Sequence, residues 1–355
     1  MGEFIAAGSP CEAFERFREE VKCEVDAALA TWLDARGAEA RRLGADVDAM
    51  SAAARTLVVR GGKRLRAVLL AAAYVACGGD GGARAVAMAG VSLELLQGYL
   101  LIHDDWMDGD DVRRGGPSVH AALRTCFGSL RAGEVAGILA GDYTAALAQQ
   151  ALFEVPLPPA RVVEAAQIFA KTQVDVTCGQ LLDVRAMAEA PEAVEVMHSL
   201  KTGSYTVHGP IGMGAALAGA SADTRATLGD FARPLGIAFQ LRDDLLGTFG
   251  DPKTTGKPQG SDLLRGKRTA LVVELERDAE GRRLLPRVFG VDDASADEVK
   301  AVVARMISSG ARARVEARLL ALMRQSAAAL EPLELVAAGK EVLRGAVLAL
   351  GERER

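Results

Sequence analysis

Apolar residues recur at intervals of three and four along most of the chain, which is the spacing of one face of an α-helix. The clearest segments are residues 14–43, 92–104, 162–182, 228–246 and 315–330. They are rich in Ala, Leu, Arg and Glu, which are strong helix formers. β-Branched pairs such as Val58 and Val59 are too short and isolated to predict a sheet. The pattern therefore predicts an all-α protein of ten or more helices.

Clusters of glycine and proline separate these helical segments. They fall at residues 78–82, 156–159, 209–210 and 250–261, and each predicts a turn or loop because these residues interrupt helices. No repeat with a period of about 20 to 50 residues and no linker-like composition divides the chain. A chain of 355 residues can bury a large core. We therefore predict one domain over residues 1–355, of which about the first ten are expected to be flexible.

Composition and charge limit the classes of function. Lys and Arg total 42 against 47 Asp and Glu, so a formal charge of −5 gives no general attraction for nucleic acid or anionic lipid. Five scattered cysteines without a CxxC pair disfavour a disulfide framework and favour a reducing compartment. We find no signal peptide and no apolar stretch of the ~20 residues that a membrane span needs. We expect a cytoplasmic protein without a nucleic-acid partner or a membrane span.

The most informative segment is LLIHDDWMDGDDVRRGGPSVH, at residues 100–120. Asp104 and Asp108 are four residues apart, so their carboxylates lie on one face of a helix, with Asp105 beside them. A small number of hard oxygen ligands suits Mg²⁺, which keeps several waters and bridges to phosphates. Arg113 and Arg114 follow, and their guanidinium groups are well shaped for binding phosphate.

Two other interpretations of this segment are open. An acidic helix end followed by a basic loop can be an ordinary solvated surface. An EF-hand loop starting at Asp104 would have Gly109 correctly at its sixth position, but Trp106 at the third and Gly115 at the closing position. The segment therefore fits Mg²⁺ better than Ca²⁺.

A second pair of acids lies near the end of another apolar helix, in FQLRDDLLGTFGD at residues 239–251. If the two helices face each other, Asp243 and Asp244 can share a metal cluster with the first acids, as in other helical bundles. A polar segment that includes Lys257 and Lys267 follows. Two acidic clusters, each followed by basic residues, predict one polyanionic ligand held by metal ions and cations.

Two shorter segments combine cations with glycine. RGGKRLR, at residues 60–66, places Lys63, Arg64 and Arg66 after two glycines that let the backbone approach a ligand. KTG, at residues 201–203, is compatible with a helix surface that a glycine interrupts. Each is a weak signal by itself, because a basic helix start is commonly just solvated.

These segments together resemble the all-trans (head-to-tail) polyprenyl diphosphate synthases, most closely the geranylgeranyl diphosphate synthases. The matching signatures occur in the family's order over residues 60–269: GGKRLR, DDWMD with DVRRGGPSVH, KTG, and FQLRDDLLGTFGDPKTTGKP with GKRT. The resemblance implies the isoprenoid synthase fold, a helical bundle around a deep central cavity, and a homodimer. It also implies three Mg²⁺ ions per active site, which Mn²⁺ can replace. The implied reaction joins isopentenyl diphosphate to an allylic diphosphate and gives a short-chain product.

The resemblance assigns roles to individual residues. It implies that Asp104, Asp108 and Asp243 hold metal ions, with Asp105 supporting the first pair and Asp244 completing the predicted metal set. Arg113, Lys201 and Lys257 are implied to bind the allylic diphosphate. Gln240 and Thr202 are implied to line the place where the carbocation forms. The remaining predicted substrate contacts are Lys63, Arg66, Gln97, Arg114 and Lys267, of which Lys63, Arg66 and Arg114 are implied for isopentenyl diphosphate.

The sequence departs from the family pattern at two positions, and a third feature bears on product length. Gln97 stands where many members have a histidine, and its amide can donate a hydrogen bond but carries no charge. Gly247 stands where many relatives have a third aspartate. Tyr99 and Leu100, just upstream of Asp104, are implied to form the floor that limits chain length. The bulk of Tyr99 favours geranylgeranyl diphosphate (C20), with farnesyl diphosphate (C15) as the alternative.

Two further functions remain open. A class I terpene cyclase shares the implied fold but binds one diphosphate, and RGGKRLR together with the paired arginines Arg113 and Arg114 counts against it. A regulatory subunit of a heteromeric synthase would typically lack one aspartate motif, and both motifs are present here. The sequence therefore favours the chain-elongating enzyme.

Overall fold

The computed structural model describes residues 9–185, 190–251, 259–291 and 293–351, and sixteen α-helices lie within these ranges. The first seven are α1 (Pro10–Leu43), α2 (Ala45–Val59), α3 (Leu65–Ala76), α4 (Gly82–Asp108), α5 (Val119–Phe127), α6 (Leu130–Phe153) and α7 (Pro159–Arg185). The others are α8 (Pro191–His198), α9 (Gly209–Ala218), α10 (Ala222–Phe249), α11 (Ser261–Leu264), α12 (Ala270–Leu275), α13 (Ala279–Leu284), α14 (Ala296–Ser308), α15 (Ala311–Leu330) and α16 (Ala337–Gly351). The all-α prediction is confirmed.

Each segment predicted from apolar spacing lies inside a helix. In α4 the side chains of Leu93, Leu96 and Ile102 are fully buried, which is the reason for the three- and four-residue spacing. Burying one such side chain stabilises the fold by about 1.5–3 kcal/mol relative to leaving it in water. Packing of α4 therefore fixes the position of its last turn, which carries the first acidic motif.

The chain divides into two compact units. The first consists of Glu15–Ala166 and Met213–Ala220, and the second of the residues described within Ala7–Phe14, Gln167–Gly212 and Ser221–Arg355. The first acidic motif lies in the first unit, and the second acidic motif lies in the second.

In the first unit, small residues let α6 approach its neighbours closely. Gly137 and Gly141 are four residues apart on α6, and both are buried. A side chain at Gly137 would overlap His120 of α5, and one at Gly141 would overlap the ring of His103 of α4. The ring nitrogen Nε2 of His103 lies 3.0 Å from the carbonyl oxygen of Ile138. This contact anchors the residue that precedes the acidic motif.

A short hairpin follows α4, and the sequence analysis did not predict it. Strands β1 (Val112–Arg113) and β2 (Gly116–Pro117) pair in antiparallel register. The turn residues Arg114 and Gly115 have φ values of 51° and 73°, as a type I′ turn requires. The guanidinium of Arg60 donates to the carbonyl oxygens of Arg113 at 3.2 Å and Pro117 at 2.7 Å. The end of α2 therefore holds the hairpin in place.

In the second unit, a π-helix at Ser199–His208 joins α8 to α9 without a break. The turn predicted at residues 209–210 is therefore wrong. Gly209 donates its N–H to the carbonyl of Ser204, five residues back, and the α-helical register resumes at this point. Pro210 follows directly at this change of register, inside a continuous helix.

One described helix, α4, is long and apolar enough to cross a membrane by length and composition. The apolar window in the sequence is thus longer than the sequence analysis recognised. However, 72% of this window is buried inside the protein. That degree of burial is what the core helix of a globular unit shows, so α4 is weak evidence for a membrane span.

Candidate active site

The three acids of the first motif have different environments in the last turn of α4. Asp105 is fully buried, the side chain of Asp104 is 27% exposed, and Asp108 is exposed. Asp104 and Asp108 are one turn apart on the same face, as the sequence predicted, whereas Asp105 points towards the core. The two accessible carboxylates are therefore those that a ligand could reach.

Buried Asp105 holds Arg113 of the hairpin. The Nε of Arg113 donates to Asp105 Oδ1 at 2.5 Å, and its Nη2 contacts the same oxygen. Asp104 Oδ2 and Asp110 Oδ2 lie 3.7 and 3.5 Å from the same Nη2. Burial raises the pKa of Asp105, and the hydrogen bond from Arg113 opposes that rise. The loop after the motif is thereby fixed so that its arginine lies beside the accessible acids.

The RGGKRLR segment and Arg114 come together in the first unit. Gly62 lies against Arg114, since a Cβ on Gly62 would stand 3.4 Å from Arg114 Nη2. Lys63 is exposed, whereas Arg64 and Arg66 are buried. Burial lowers the pKa of Arg114, and the surrounding arginines lower it further. This concentration of positive charge suits a polyanion.

The sequence predicts that Arg64 offers a cation to a ligand, but the structure gives this residue a different role. Its guanidinium lies inside the protein and pairs with Glu94 and Asp26, at 2.7 Å in each case. It is therefore a structural cation. The sequence analysis did not single out Glu94 or Asp26, because nothing in the local pattern indicates that α1 and α4 supply its partners.

Three predicted residues lie upstream of the acids on α4. Gln97, Tyr99 and Leu100 are all half-buried. The ring of Tyr99 meets the ring of His103 edge-on, with centroids 5.1 Å apart. Leu100 lies one turn before Asp104 on the same face. Part of each side chain is thus accessible in the turns that precede the first acidic motif.

The second acidic motif repeats the contrast between an exposed and a buried carboxylate. Asp243 is exposed near the end of α10, whereas Asp244 is buried. The amide Nε2 of Gln240 donates to Asp244 Oδ1 at 2.8 Å, and Nε2 of buried His198 lies 3.3 Å from Asp244 Oδ2. Asp244 therefore fixes Gln240, and the sequence analysis did not identify His198 as its second partner.

The π-helix carries Lys201 and Thr202 in a closely packed setting. Lys201 Nζ forms an ion pair with Asp183 of α7, and both side chains are partly buried. A Cβ at Gly179 would overlap the backbone of Lys201, so α7 and the π-helix are in close contact. A π-helix is uncommon and is frequently found at functional sites. Asp183 was missed in the sequence because its partner is 18 residues away.

Two predicted basic residues follow the second motif. Lys257 lies outside the described residues. Lys267 Nζ is 3.8 Å from Asp262 Oδ1. Gly247 lies against Asp262, because a Cβ at position 247 would overlap the Asp262 carboxylate. A residue larger than glycine at this position would therefore require the Asp262 side chain of α11 to move.

The accessible acids fit Mg²⁺ by their chemistry. Asp104, Asp108 and Asp243 present carboxylate oxygens at the surface of their own units. Across the described ranges, no group of three or more His, Cys, Asp or Glu side chains is gathered into a complete metal site. Mg²⁺ does not require one, since it binds through one or two carboxylates together with waters and substrate phosphates.

Comparisons with known proteins find related prenyl diphosphate synthases. The geranylgeranyl diphosphate synthase of Methanosarcina mazei is 35% identical, over 73% of this chain and 76% of that protein. The geranylfarnesyl diphosphate synthase of Aeropyrum pernix is 36% identical, over 76% and 83%. The structure of a geranylgeranyl pyrophosphate synthase from Corynebacterium glutamicum, complexed with isoprenyl diphosphate and magnesium, has a TM-score of 0.86 and 31% identity. It covers 96% of this chain and 99% of that one.

These matches confirm the predicted fold and the predicted enzyme class, a short-chain isoprenyl diphosphate synthase. The family model described as polyprenyl synthetase matches residues 47–306, which is more than half of the chain. Two relatives exceed 30% identity over more than two thirds of their own length. This chain therefore belongs to the polyprenyl synthetase family.

Proposed function

We propose that this protein joins isopentenyl diphosphate to an allylic diphosphate, head to tail, and that its main product is geranylgeranyl diphosphate. The supporting observation is that the two neighbouring arginines of the hairpin have different partners: Arg113 pairs with the first acidic motif, whereas Arg114 lies against Gly62 of RGGKRLR. Two sets of cations suit two diphosphates. A terpene cyclase would need only one set.

Mg²⁺ is proposed as the metal, with Mn²⁺ able to replace it. Asp104 and Asp108 would hold two ions and Asp243 the third, because these three carboxylates are the accessible ones in the two motifs. When bound, the ions stabilise the negative charge that develops on the leaving diphosphate. Asp244, also predicted as a ligand, is buried and already contacts Gln240 and His198.

The chain's own residues would do the remaining work on the allylic substrate. Arg113, Lys201 and Lys257 would neutralise its diphosphate, since cations placed where charge develops lower the barrier to ionisation. Gln240 and Thr202 would line the region of the carbocation with oxygen atoms. Gln240 is suited to this role because Asp244 fixes its amide group, which leaves the amide oxygen directed away from that bond.

Isopentenyl diphosphate would be held by Lys63, Arg66 and Arg114, with Gln97 as a further contact, and Lys267 is proposed as a substrate contact as well. Its double bond attacks the allylic cation, after which one proton is lost. The departing diphosphate is proposed to accept that proton, so that no histidine base is needed. His103 and His198 already have polar partners, which agrees with a structural role for these side chains.

A product assay tests this function directly. The protein is incubated with Mg²⁺, radiolabelled isopentenyl diphosphate and each of the C5, C10 and C15 allylic diphosphates, and chain length is read after dephosphorylation. A dominant C20 alcohol supports the proposal. A dominant C15 alcohol contradicts the proposed product and retains the reaction. Absence of incorporation with every primer contradicts chain elongation and favours a cyclase or a regulatory subunit.

Replacing Tyr99 with alanine is expected to lengthen the product from C20 towards C25. The half-buried ring occupies space on α4 beside His103, and its removal would deepen the channel for the tail. Product distributions of the wild type and Tyr99→Ala are compared in the same assay. Tyr143→Ala, which removes a half-buried ring from α6, is the matched control. An unchanged distribution in Tyr99→Ala contradicts the floor assignment.

Replacing Gln97 with histidine is expected to lower the KM for isopentenyl diphosphate. A histidine at this position can carry a positive charge, whereas the amide of Gln97 only donates a hydrogen bond. The expected change is about threefold to tenfold, the range of one weak charge-assisted contact. KM is measured at saturating allylic diphosphate. An identical KM in both proteins would make Gln97 a structural residue.

We further propose a cytoplasmic homodimer in which α6 contributes to the subunit interface. Val135 and Leu139 are exposed one turn apart on α6, and Leu130 is exposed at its start. A row of exposed large apolar side chains on one helix is typical of a surface that another subunit covers. The exposed side of α6 is therefore the face that we propose for a twofold interface.

A further inference from the structure

Arg64 and Arg114 share a strained backbone conformation. They are the two described residues other than glycine with positive φ, at 50° and 51°. The left-handed region is unfavourable for a residue with a Cβ, so such a residue keeps it only where the surroundings hold it there. Both arginines belong to the basic segments proposed to bind isopentenyl diphosphate.

Arg64 is held on three sides. Its Nη1 donates to Glu94 Oε2 at 2.7 Å, and its Nε donates to Asp26 Oδ1 at 2.7 Å. Both terminal nitrogens also donate to the carbonyl oxygen of Val58 at 3.2 Å. The side chain therefore ties the start of α3 to α1, α2 and α4 at once. Lys63 and Arg66 flank this anchor in the sequence, so their placement depends on it.

Glu94 links the two strained arginines. It is buried on α4, and its second oxygen, Oε1, has no hydrogen-bond partner among the described residues. Burial lowers the pKa of Arg114, and the charge of Glu94 opposes that effect while Arg64 and Arg66 reinforce it. Glu94 is thus the buried negative charge that offsets the mutual repulsion of these arginines.

We propose that Glu94 and Arg64 form a positioning pair for isopentenyl diphosphate. The pair does not touch the substrate; it holds the strained turn at the start of α3 that presents Lys63 and Arg66 to the diphosphate, and Gly62 of the same segment lies against Arg114, the third contact. This inference rests on the proposed function, because it takes those three residues as the diphosphate contacts.

When Glu94 is neutralised, the positioning role and a purely electrostatic role predict changes of opposite sign in the KM for isopentenyl diphosphate. Neutralising Glu94 makes the surrounding field more positive, and a field effect alone would tighten binding of a diphosphate. Positioning predicts weaker binding, because a buried arginine that loses its partner no longer holds its conformation. The direction of the change in KM therefore separates the two roles.

The experiment compares the wild type with Glu94→Gln and Arg64→Gly. Glutamine keeps the shape of the glutamate without its charge, and glycine adopts positive φ without strain, so Arg64→Gly removes the anchoring side chain without straining the backbone. Because Arg64→Gly also removes a positive charge, Glu94→Gln is the variant that separates the two roles by sign. We expect each variant to raise the KM for isopentenyl diphosphate about tenfold or more, and the double variant to add little to either. The KM for the allylic diphosphate should change by less than about twofold, because that site uses other residues.

A control and a second variant complete the test. Arg55→Gln breaks an exposed ion pair with Asp34 on α1 and should leave both KM values unchanged. Arg64→Lys keeps the positive charge, but a lysine cannot reach all three acceptors. Its KM for isopentenyl diphosphate is expected to lie between those of the wild type and Arg64→Gly. This variant still tests the positioning role if Glu94→Gln does not fold.

Four results bear on the inference in different ways. An unchanged or lower KM for isopentenyl diphosphate in Glu94→Gln or Arg64→Gly overturns the positioning role. Equal rises in both KM values, with a lower Tm, overturn it in favour of general destabilisation. A selective rise for isopentenyl diphosphate supports it. Absence of elongation by the wild type contradicts the proposed function itself, and is therefore measured first.

Discussion

Replacing Asp104 or Asp243 with alanine is expected to reduce kcat by at least about 10²–10³-fold, the loss seen when one stabiliser of developing charge is removed from an active site. Asp104 is partly exposed on α4 and Asp243 is exposed on α10, so each can reach a ligand from its own helix. On the proposed assignment, each substitution removes one of the hard oxygen ligands of Mg²⁺. The two substitutions should therefore have effects of similar size.

The rates are measured at saturating substrates over a series of Mg²⁺ concentrations. If the acids are ligands, the variants should also need more Mg²⁺ to reach half of their own maximal rate, because a lost ligand weakens metal affinity. Asp230→Ala is the matched control, since Asp230 is an exposed acid on α10 whose ion pair with Arg233 is also exposed. A near-normal rate in Asp104→Ala or Asp243→Ala, with an unchanged Mg²⁺ requirement, would refute the assignment of two acidic motifs to metal binding.

The helices could be predicted because burial alone determines their pattern. In α4 and α10, every predicted segment is shorter than the helix that contains it, and the buried leucines and alanines account for the spacing. The accessible position of Asp104 and Asp108 followed from the same period. The sequence does not state, however, which neighbouring acids face inwards, and the burial of Asp105 and Asp244 depends on packing against other elements.

Two local features could not be predicted for a different reason. Glycine and proline at 209–210 normally end a helix, but the change from π-helical to α-helical hydrogen bonding accommodates Pro210. The hairpin at 112–117 has too few residues for a strand pattern, and Arg60 on α2 stabilises it from outside. In both cases the contact that determines the local structure involves residues outside the short segment whose pattern was used for the prediction.

The partners of the predicted cations were also hidden in the sequence. Arg64 looked equivalent to Lys63, yet it is buried against Glu94, which is 30 residues away. Lys201 pairs with Asp183, and Gly247 lies against Asp262. The order of the motifs is enough to identify the family. Which residues of a motif are accessible and which are buried in ion pairs can be seen only in the folded chain.

Replacing Lys201 with methionine is expected to raise the KM for the allylic diphosphate and to lower kcat, together by about 10²-fold or more in kcat/KM. Lys201 lies on the π-helix and pairs with Asp183 on α7. Methionine has a similar length and no charge, so Asp183 would remain without its cation and would repel a bound diphosphate. The loss should therefore exceed that of a simple missing contact.

A second substitution distinguishes these two contributions. Asp183→Asn in the Lys201→Met background removes the repulsion, and it should recover part of kcat/KM if the unpaired carboxylate contributes to the loss. Lys171→Met is the matched control, because Lys171 forms an ion pair with Asp175 on α7 but is largely exposed, and such pairs contribute little. A Lys201→Met enzyme with the kinetics of the control would show that this lysine only stabilises the packing of α7, and Arg113 and Lys257 would then be the residues left to hold the allylic diphosphate.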